Sequence, residues 1–457
     1  MSGPSVSTSP ASPAEKAQKW PLLAALAIAL VAMLAMDRPL ARGDGLAYFM
    51  WLDSIAGDGD MDLSNQAQIF ASVNAYQAYW NHETGHWATG FAYGVAILLA
   101  PFYWLARWVE GLGGLAVNPD HFIALQGRPL AYSLLGMLGV NLYGLGSVAL
   151  AYACARFYAR PLPAAASALL LFLGTPMLYY ASIEPFYVHV PAAFLTALTL
   201  FLLLYWKERR DSPFLVLAAG LVGGLATLVR WQMALLVWGL ALSLPFHRRW
   251  REVGLFGLGF WAVAWHVLYT WNWMFGRPLL LSAAESGFLG LPVHLPQVLF
   301  SDTRGLFMWS PVTLMGGIGW VMLARWRRWV TVGLAVAFLL EACINGGVAD
   351  WWAGWSFGAR RMTELYATFA LGLAILLDKS KRRPVRTILW AAAVACVLFS
   401  LLLFLSHLNF INTVLDRPQG DRATVEIRYQ LTQSNFGITW QVIREHYGPW
   451  AWSRPGP

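Results

Sequence analysis

Apolar residues in this chain are gathered into long runs, and the charges fall between them. The runs cover residues 20–36, 129–155, 162–181, 187–206, 213–230, 231–246, 253–272, 306–324, 329–346, 363–378 and 387–408. Runs near 20 residues can cross a hydrocarbon layer ~30 Å thick at ~1.5 Å per residue. The pattern predicts an all-α polytopic membrane protein with about 11 transmembrane helices. Residues 1–19 form a Ser/Pro/Ala-rich cytoplasmic tail expected to be disordered. The run after Lys16 and Lys19 lacks a small-residue cleavage site, so it reads as a retained helix. The membrane domain is expected over 20–408, with 409–457 as a short extracytoplasmic tail.

Composition agrees with this reading. Hydrophobic residues make up 58% of the 457 residues and 25 are tryptophan, with a mean hydropathy of +0.50. A soluble globule of this size must cover itself with polar residues, which this chain lacks. Cys154, Cys343 and Cys396 each sit in an apolar run without metal-ligand spacing, so they imply buried hydrophobes and no disulfide framework.

Charge sets the orientation. The basic clusters "KERRD" (207–211), "HRRWRE" (247–252), "RWRR" (325–328) and "KSKRRPVR" (379–386), with the weaker Arg156–Arg160, mark cytoplasmic loops. Parity then requires residues 37–128 to begin and end outside. The apolar stretch 88–109 cannot cross once. With Gly90, Gly94 and Pro101 in it, it suits a helix lying in the interface or a shallow re-entrant element; the alternative is a true span with an external N-terminus or a further helix elsewhere. Under this topology Glu15, Glu208, Asp211, Glu252 and Asp378 are the only acids inside. That leaves 24 − 5 = 19 acids outside or near the outer face, and all five lysines inside. The basic residues left outside are arginines, whose planar fork suits phosphate better than a lysine point charge does. An outer face rich in Asp, Glu, Arg and Trp beside lipid points to chemistry on a phosphorylated amphiphile. Nucleic acid is set aside, because the basic residues are spread over membrane-facing loops.

Five aspartates, Asp44, Asp53, Asp58, Asp60 and Asp62, stand directly behind the first run. "DGDMD" resembles the start of a calcium loop but has Leu63 and Ile69 where glycine and glutamate are required. Asp44 is held close to the membrane surface between Gly43 and Gly45, with Tyr48 one helical turn on. It is a candidate general base or, equally, a helix cap. The other four should mainly order and solvate the loop, with Asp60 a candidate for touching the acceptor. In "LYYASIEPFYVHVP" (178–191), Glu184 and His189 should have partners; two ligands are too few for a metal site, and a hydrogen-bonded pair orienting substrate is the safer reading. Arg230, at a junction with no room for a loop, is either an interfacial anchor or a phosphate ligand. "NGGVADWWAGWSFGARRMTELY" (345–366) offers Trp352 and Trp355 as faces for a sugar ring or lipid, and Arg360 and Arg361 at a helix start as an anion site. "LFSDTRGLFMWSP" (299–311) places Asp302 and Arg304 similarly.

Taken together, "GDGLAY", "DGDMDLSN", "GTPMLYYASIEP", "FSDTRGLFMWSP" and "WWAGWSFGARR" resemble the GT-C superfamily of membrane glycosyltransferases. The resemblance is to the bacterial branch related to protein O-mannosyltransferases and the lipid A aminoarabinose transferase in particular, and it covers about residues 20–408. It implies interface helices in the first outer loop, a polyprenyl-phosphate-linked sugar donor, an extracytoplasmic acceptor and inversion at the anomeric carbon. It further implies Asp44 as base, Glu184 near the acceptor or a metal, and Arg230 and Arg360 on the lipid phosphate. No cofactor is required, though a divalent metal is compatible. The expected location is a bacterial inner membrane with the site on its outer face. The chain departs from the pattern at Gly45, where an acidic residue commonly follows the first aspartate. Two rivals remain. A lipid or sugar flippase would show repeats and charges deep in its spans, yet no repeat is found and only Glu341 lies clearly inside an apolar run, near its outer end. A polymerase or ligase using lipid-diphosphate-linked glycans would favour a long loop late in the chain, and here the longest is the first.

Overall fold

The computed structural model describes residues 13–39, 41, 43–70, 78–113, 130–242, 249–279, 287–354 and 356–415. Most of the described part of every apolar run is helical. Among these residues six helices are long and apolar enough to cross a membrane: α1 (Pro13–Met36, from Lys19), α5 (Leu130–Ala155), α8 (His189–Glu208), α11 (Trp250–Phe275), α15 (Arg328–Gly346) and α17 (Arg383–Leu415, as far as Leu408). Shorter apolar helices are α6 (Pro161–Gly174), α9 (Pro213–Val229) and α14 (Val312–Leu323). This is an integral membrane protein.

Several runs are broken rods, and proline explains where. The 162–181 run stops as α6 at Gly174 and restarts as α7 (Met177–Ser182), because Thr175 precedes Pro176 and is extended at φ −128°, ψ 173°. The proline ring excludes the helical conformation from the residue before it. Likewise Ser310, before Pro311, separates α13 (Leu306–Trp309) from α14. The 363–378 run begins as a 3-10 helix (Arg360–Leu365) that hands over to α16 (Tyr366–Lys379). The 231–246 run holds α10 (Met233–Ala241).

With lipid outside the bundle, helix association depends on close backbone approach. The contact of α9 with α11 is of this kind. Gly220 and Gly224, four apart on α9, face α11, where a Cβ on Gly220 would strike the Phe256 carbonyl. From the other side a Cβ on Gly259 would strike that of Leu217.

The first long loop folds as a cap on one end of the bundle. It carries α2 (Asp44–Leu52), which runs into a π-helical turn at Asp53–Asp58, then α3 (Ser64–Phe70). A short antiparallel hairpin, β1 (Tyr79–Asn81) with β2 (His86–Ala88), precedes α4 (Gly94–Gly111). Helix α2 is buried from Gly45 to Leu52. Helix α4 lies antiparallel along the N-terminal half of α5. Tyr143 Oη donates to the Leu98 carbonyl at 2.9 Å and Tyr132 Oη to Glu110 at 2.8 Å. Asn141 of α5 donates to Asp37, the first residue beyond α1, at 2.7 Å, so the stretch of α5 covered by α4 reaches past the end of α1. The N-terminus of α4 packs on the Leu228–Val229 backbone at the end of α9. The α1 end, the α7–α8 turn, the α9–α10 junction and the loop between α15 and the 3-10 helix therefore share this end of the molecule.

Candidate active site

Asp44 is the first helical residue of α2 and Gly43, at φ 54°, is its cap. The capping role is thereby excluded, and the carboxylate goes elsewhere. Its Oδ2 lies 2.7 Å from Nη1 of Arg360, 316 residues along the chain, with the two side chains 27% and 11% exposed. Arg360 also stacks over the Tyr187 ring, 5.4 Å from its centroid. Both ends of the pair line one cavity of about 160 Å³ together with Tyr48, Phe91, His189, Arg230, Trp231, Gln232, Asp350 and Arg361. Water takes ~30 Å³ per molecule in the liquid, so the space holds about five waters or a small polar group. The lining carries three arginines against two aspartates. Tyr48 sits one turn below Asp44 and meets Phe91 edge-on at 5.2 Å, giving the cavity an aromatic wall.

The departure at Gly45 has a steric cause. A Cβ there would lie 3.2 Å from Cβ of Phe186 and 3.4 Å from the Tyr187 ring. The approach that seats Asp44 beside Tyr187 makes position 45 tight, so any larger residue there has to displace Phe186 by a few tenths of an ångström.

Arg230 reaches the same cavity from the α9–α10 junction, but it is already engaged. Its Nη1 is 2.9 Å from Glu364 and 3.5 Å from Glu341. His189 Nδ1 lies 2.9 Å from the same Glu364 oxygen. Asn345 donates to the Glu341 carboxylate at 3.2 Å. Glu341 and Glu364 are fully buried, and breaking such a pair costs far more than forming it gains. Glu341, Glu364, Asp350 and Gln232 are not among the site candidates that stand out in the sequence. Glu341 carried a signal, as an acid inside an apolar run; Glu364 carried none, because its two partners lie 134 and 175 residues away. Glu184 is buried behind the cavity, close enough to bear electrostatically on Tyr180, Tyr187 and Arg360.

The described residues of the loop 347–359 shape the remaining wall. Arg361 donates to the Asp350 carbonyl at 2.7 Å and pairs with its carboxylate at 3.4 Å. Arg304 points Nη1 at the carbonyls of Trp352 and Gly354 and at Ser356 Oγ. It ties down a turn in which Ala353 takes φ 60°, the one non-glycine residue with positive φ among those described. That conformation costs roughly 1–2 kcal/mol in an L-residue, which the arginine's contacts offset. Arg304 and the 43%-exposed Trp352 face a small neighbouring recess rather than the main cavity. Trp355 lies outside the described residues.

The remaining aspartates order their own loop. Asp53 accepts from Tyr103 at 2.7 Å, Asp58 from Gln66 at 2.6 Å, Asp60 from Ser54 at 3.0 Å and Asp62 from Ser64 at 2.6 Å. Asp60 does not line the cavity. Among the described residues no group of three His, Cys, Asp or Glu side chains is placed to hold a metal.

No family model and no curated protein matches the sequence. Among solved structures, ArnT from Cupriavidus metallidurans bound to undecaprenyl phosphate is similar at 14% identity and a TM-score of 0.49, over 95% of this chain and 79% of that one. The oligosaccharyltransferase AglB from Archaeoglobus fulgidus, in complex with an inhibitory peptide and a dolichol-phosphate, is similar at 12% identity and a TM-score of 0.48. It is matched over 94% of this chain and 56% of its own.

Proposed function

We propose that the chain is an inverting membrane glycosyltransferase that moves a sugar from a polyprenyl-phosphate carrier to an extracytoplasmic acceptor. The observation that carries this reading is the ion pair between Asp44 and Arg360 at one cavity, with Arg361 and Arg230 in the same lining. A base beside an anion site is what the reaction needs. Asp44 takes the proton of an acceptor hydroxyl or amine, and the freed electron pair forms the bond to the anomeric carbon. The bond from that carbon to the phosphate oxygen breaks on the opposite face, so the configuration inverts. The phosphodiester, with one negative charge, leaves as a monoester with two. Arginines aimed at the phosphate stabilise that added charge, and no strong general acid is required.

The resting pair then acts as a latch. Arg360 cannot serve Asp44 and a phosphate equally, so an arriving phosphate draws the guanidinium away and leaves the carboxylate a better base. Arg361 is the second phosphate ligand, whereas Arg230, held by Glu364 and Glu341, contributes its field from a fixed position. Helix α2 and the turn before α4 line the cavity, at the end of the bundle that the loop charges assign to the outer surface, where lipid phosphate meets water. The basic loops support a cytoplasmic side for the opposite end of the bundle, and the membrane in this reading is a bacterial inner membrane.

Binding of polyprenyl phosphate to purified protein tests the anion site. Arg360→Ala should weaken it by about tenfold or more, the worth of a charge-assisted hydrogen bond. Arg360→Lys should recover only part, because it lacks the fork. Full affinity in Arg360→Ala would remove Arg360 from the phosphate site.

A further inference from the structure

The end of the bundle away from this cavity holds a larger hollow of about 470 Å³. It lies between α1 at Pro21, the first turn of α6, the last turn of α16 and the first two turns of α17. Most of the lining is apolar, including Pro21, Leu162, Leu377 and Trp390, and its charged members are Arg160 and Arg386. Arg160 Nε is 2.5 Å from Asp378, and Lys379 Nζ is 3.2 Å from the same carboxylate. Asp378, only 2% exposed, thus answers two cations. Counting Arg386, three positive charges face one negative charge. Arg386 is partly buried and has no ion pair among the described residues.

A partly buried guanidinium in an apolar hollow calls for an anion, and the apolar walls say which kind. A soluble phosphate gains nothing from Trp390 or from Leu162, which stands 62% exposed at the hollow. An amphiphile with a phosphate next to hydrocarbon uses both. Under the topology proposed above, this end faces the cytoplasmic leaflet, whose anionic lipids gather at basic pockets between helices. We propose that the hollow binds an anionic phospholipid, its phosphate on Arg386 and Arg160 and its glycerol and upper acyl chains against Leu162 and Trp390.

Full-length protein in detergent would be titrated with phosphatidylglycerol and with phosphatidylcholine of the same chain length, and bound lipid counted by native mass spectrometry. One tight phosphatidylglycerol per chain is expected, with phosphatidylcholine weaker. Arg386→Gln should weaken it about tenfold, the loss of one charge-assisted contact. Arg386→Lys should lose less, and Arg382→Gln, an exposed neighbour outside the hollow, should change nothing. Leu162→Gln, at an exposed position that tolerates polarity, should also weaken the lipid. Equal binding of both lipids, or wild-type binding by both Arg386→Gln and Leu162→Gln, would overturn the proposal. So would displacement by glycerol phosphate at the same concentration as lipid, which would make this a free-anion site. Catalytic transfer is not read in this experiment, so its outcome is independent of the assignment of Asp44.

Discussion

Asp44→Asn separates the base from every other role the residue plays. The substitution keeps size and an oxygen that can accept from Arg360, but removes the proton acceptor and one charge. Two costs compete. Exchanging the ion pair for a hydrogen bond from the same guanidinium to a neutral amide costs about 1–2 kcal/mol of fold stability. It stays well below the ~3–5 kcal/mol of a fully orphaned buried charge, because Asp44 is 27% exposed and the amide still accepts. Losing the general base costs roughly 10² to 10⁴ in rate, or about 3–5 kcal/mol of transition-state stabilisation. Catalysis should therefore fall far more than stability. Donor affinity should hold or rise, since Arg360 no longer has to leave a carboxylate to meet phosphate. Single-turnover transfer, carrier-lipid affinity and thermal unfolding of the purified variant measure the three quantities. Transfer within a few fold of wild type would refute Asp44 as base and move the search to Glu184. A parallel loss of affinity and rate would make Asp44 a binding residue only.

Two further outcomes follow from the buried groups. Glu364→Gln removes the charge that holds both Arg230 and His189, so the unfolding temperature should drop sharply, by an amount equivalent to about 3–5 kcal/mol; an unchanged melting curve would show that Glu341 alone suffices for Arg230. Asp37, just past the end of α1, has its carboxyl pushed up to about 6 by burial, partly countered by the Asn141 hydrogen bond. A raised carboxyl binds its proton more tightly in the fold than in the unfolded chain, so its contribution is full below about pH 4 and is lost as pH rises through 6. The stability of wild type relative to Asp37→Asn should accordingly fall between pH 4 and 7, and a flat difference would contradict the assignment.

Much of this architecture is legible in the sequence because it depends on local signals. Runs such as 253–272 and 329–346 carry their length and hydrophobicity with them, and α11 and α15 follow within a few residues. The breaks at Thr175–Pro176 and Ser310–Pro311 were also written there, in the prolines, but the continuous hydrophobicity across them masked the interruption. Asp44 and Arg360 each stood out alone. Their pairing was not legible, because it is decided by how α2 and the 3-10 helix pack at one end of the bundle. The same holds for Glu364, an ordinary acid in sequence whose meaning comes from Arg230 and His189. Arg304 shows the opposite failure. Its "SDTRG" setting looks like an anion site, yet nearby carbonyls claim its guanidinium. Short-range pattern identifies which residues are unusual; packing decides what each one touches.

The central claim is inverting transfer from a carrier monophosphate at the Asp44–Arg360 cavity. Its most direct test incubates purified protein with a panel of polyprenyl-phosphate sugars and acceptor-containing envelope extract. The readouts are the carrier lipid released and the anomeric configuration of the product. One polyprenyl monophosphate released per sugar transferred, with inverted configuration and no transfer by Asp44→Asn, is the predicted result. Retention of configuration, or no consumption of any donor by the wild-type protein, would contradict the account.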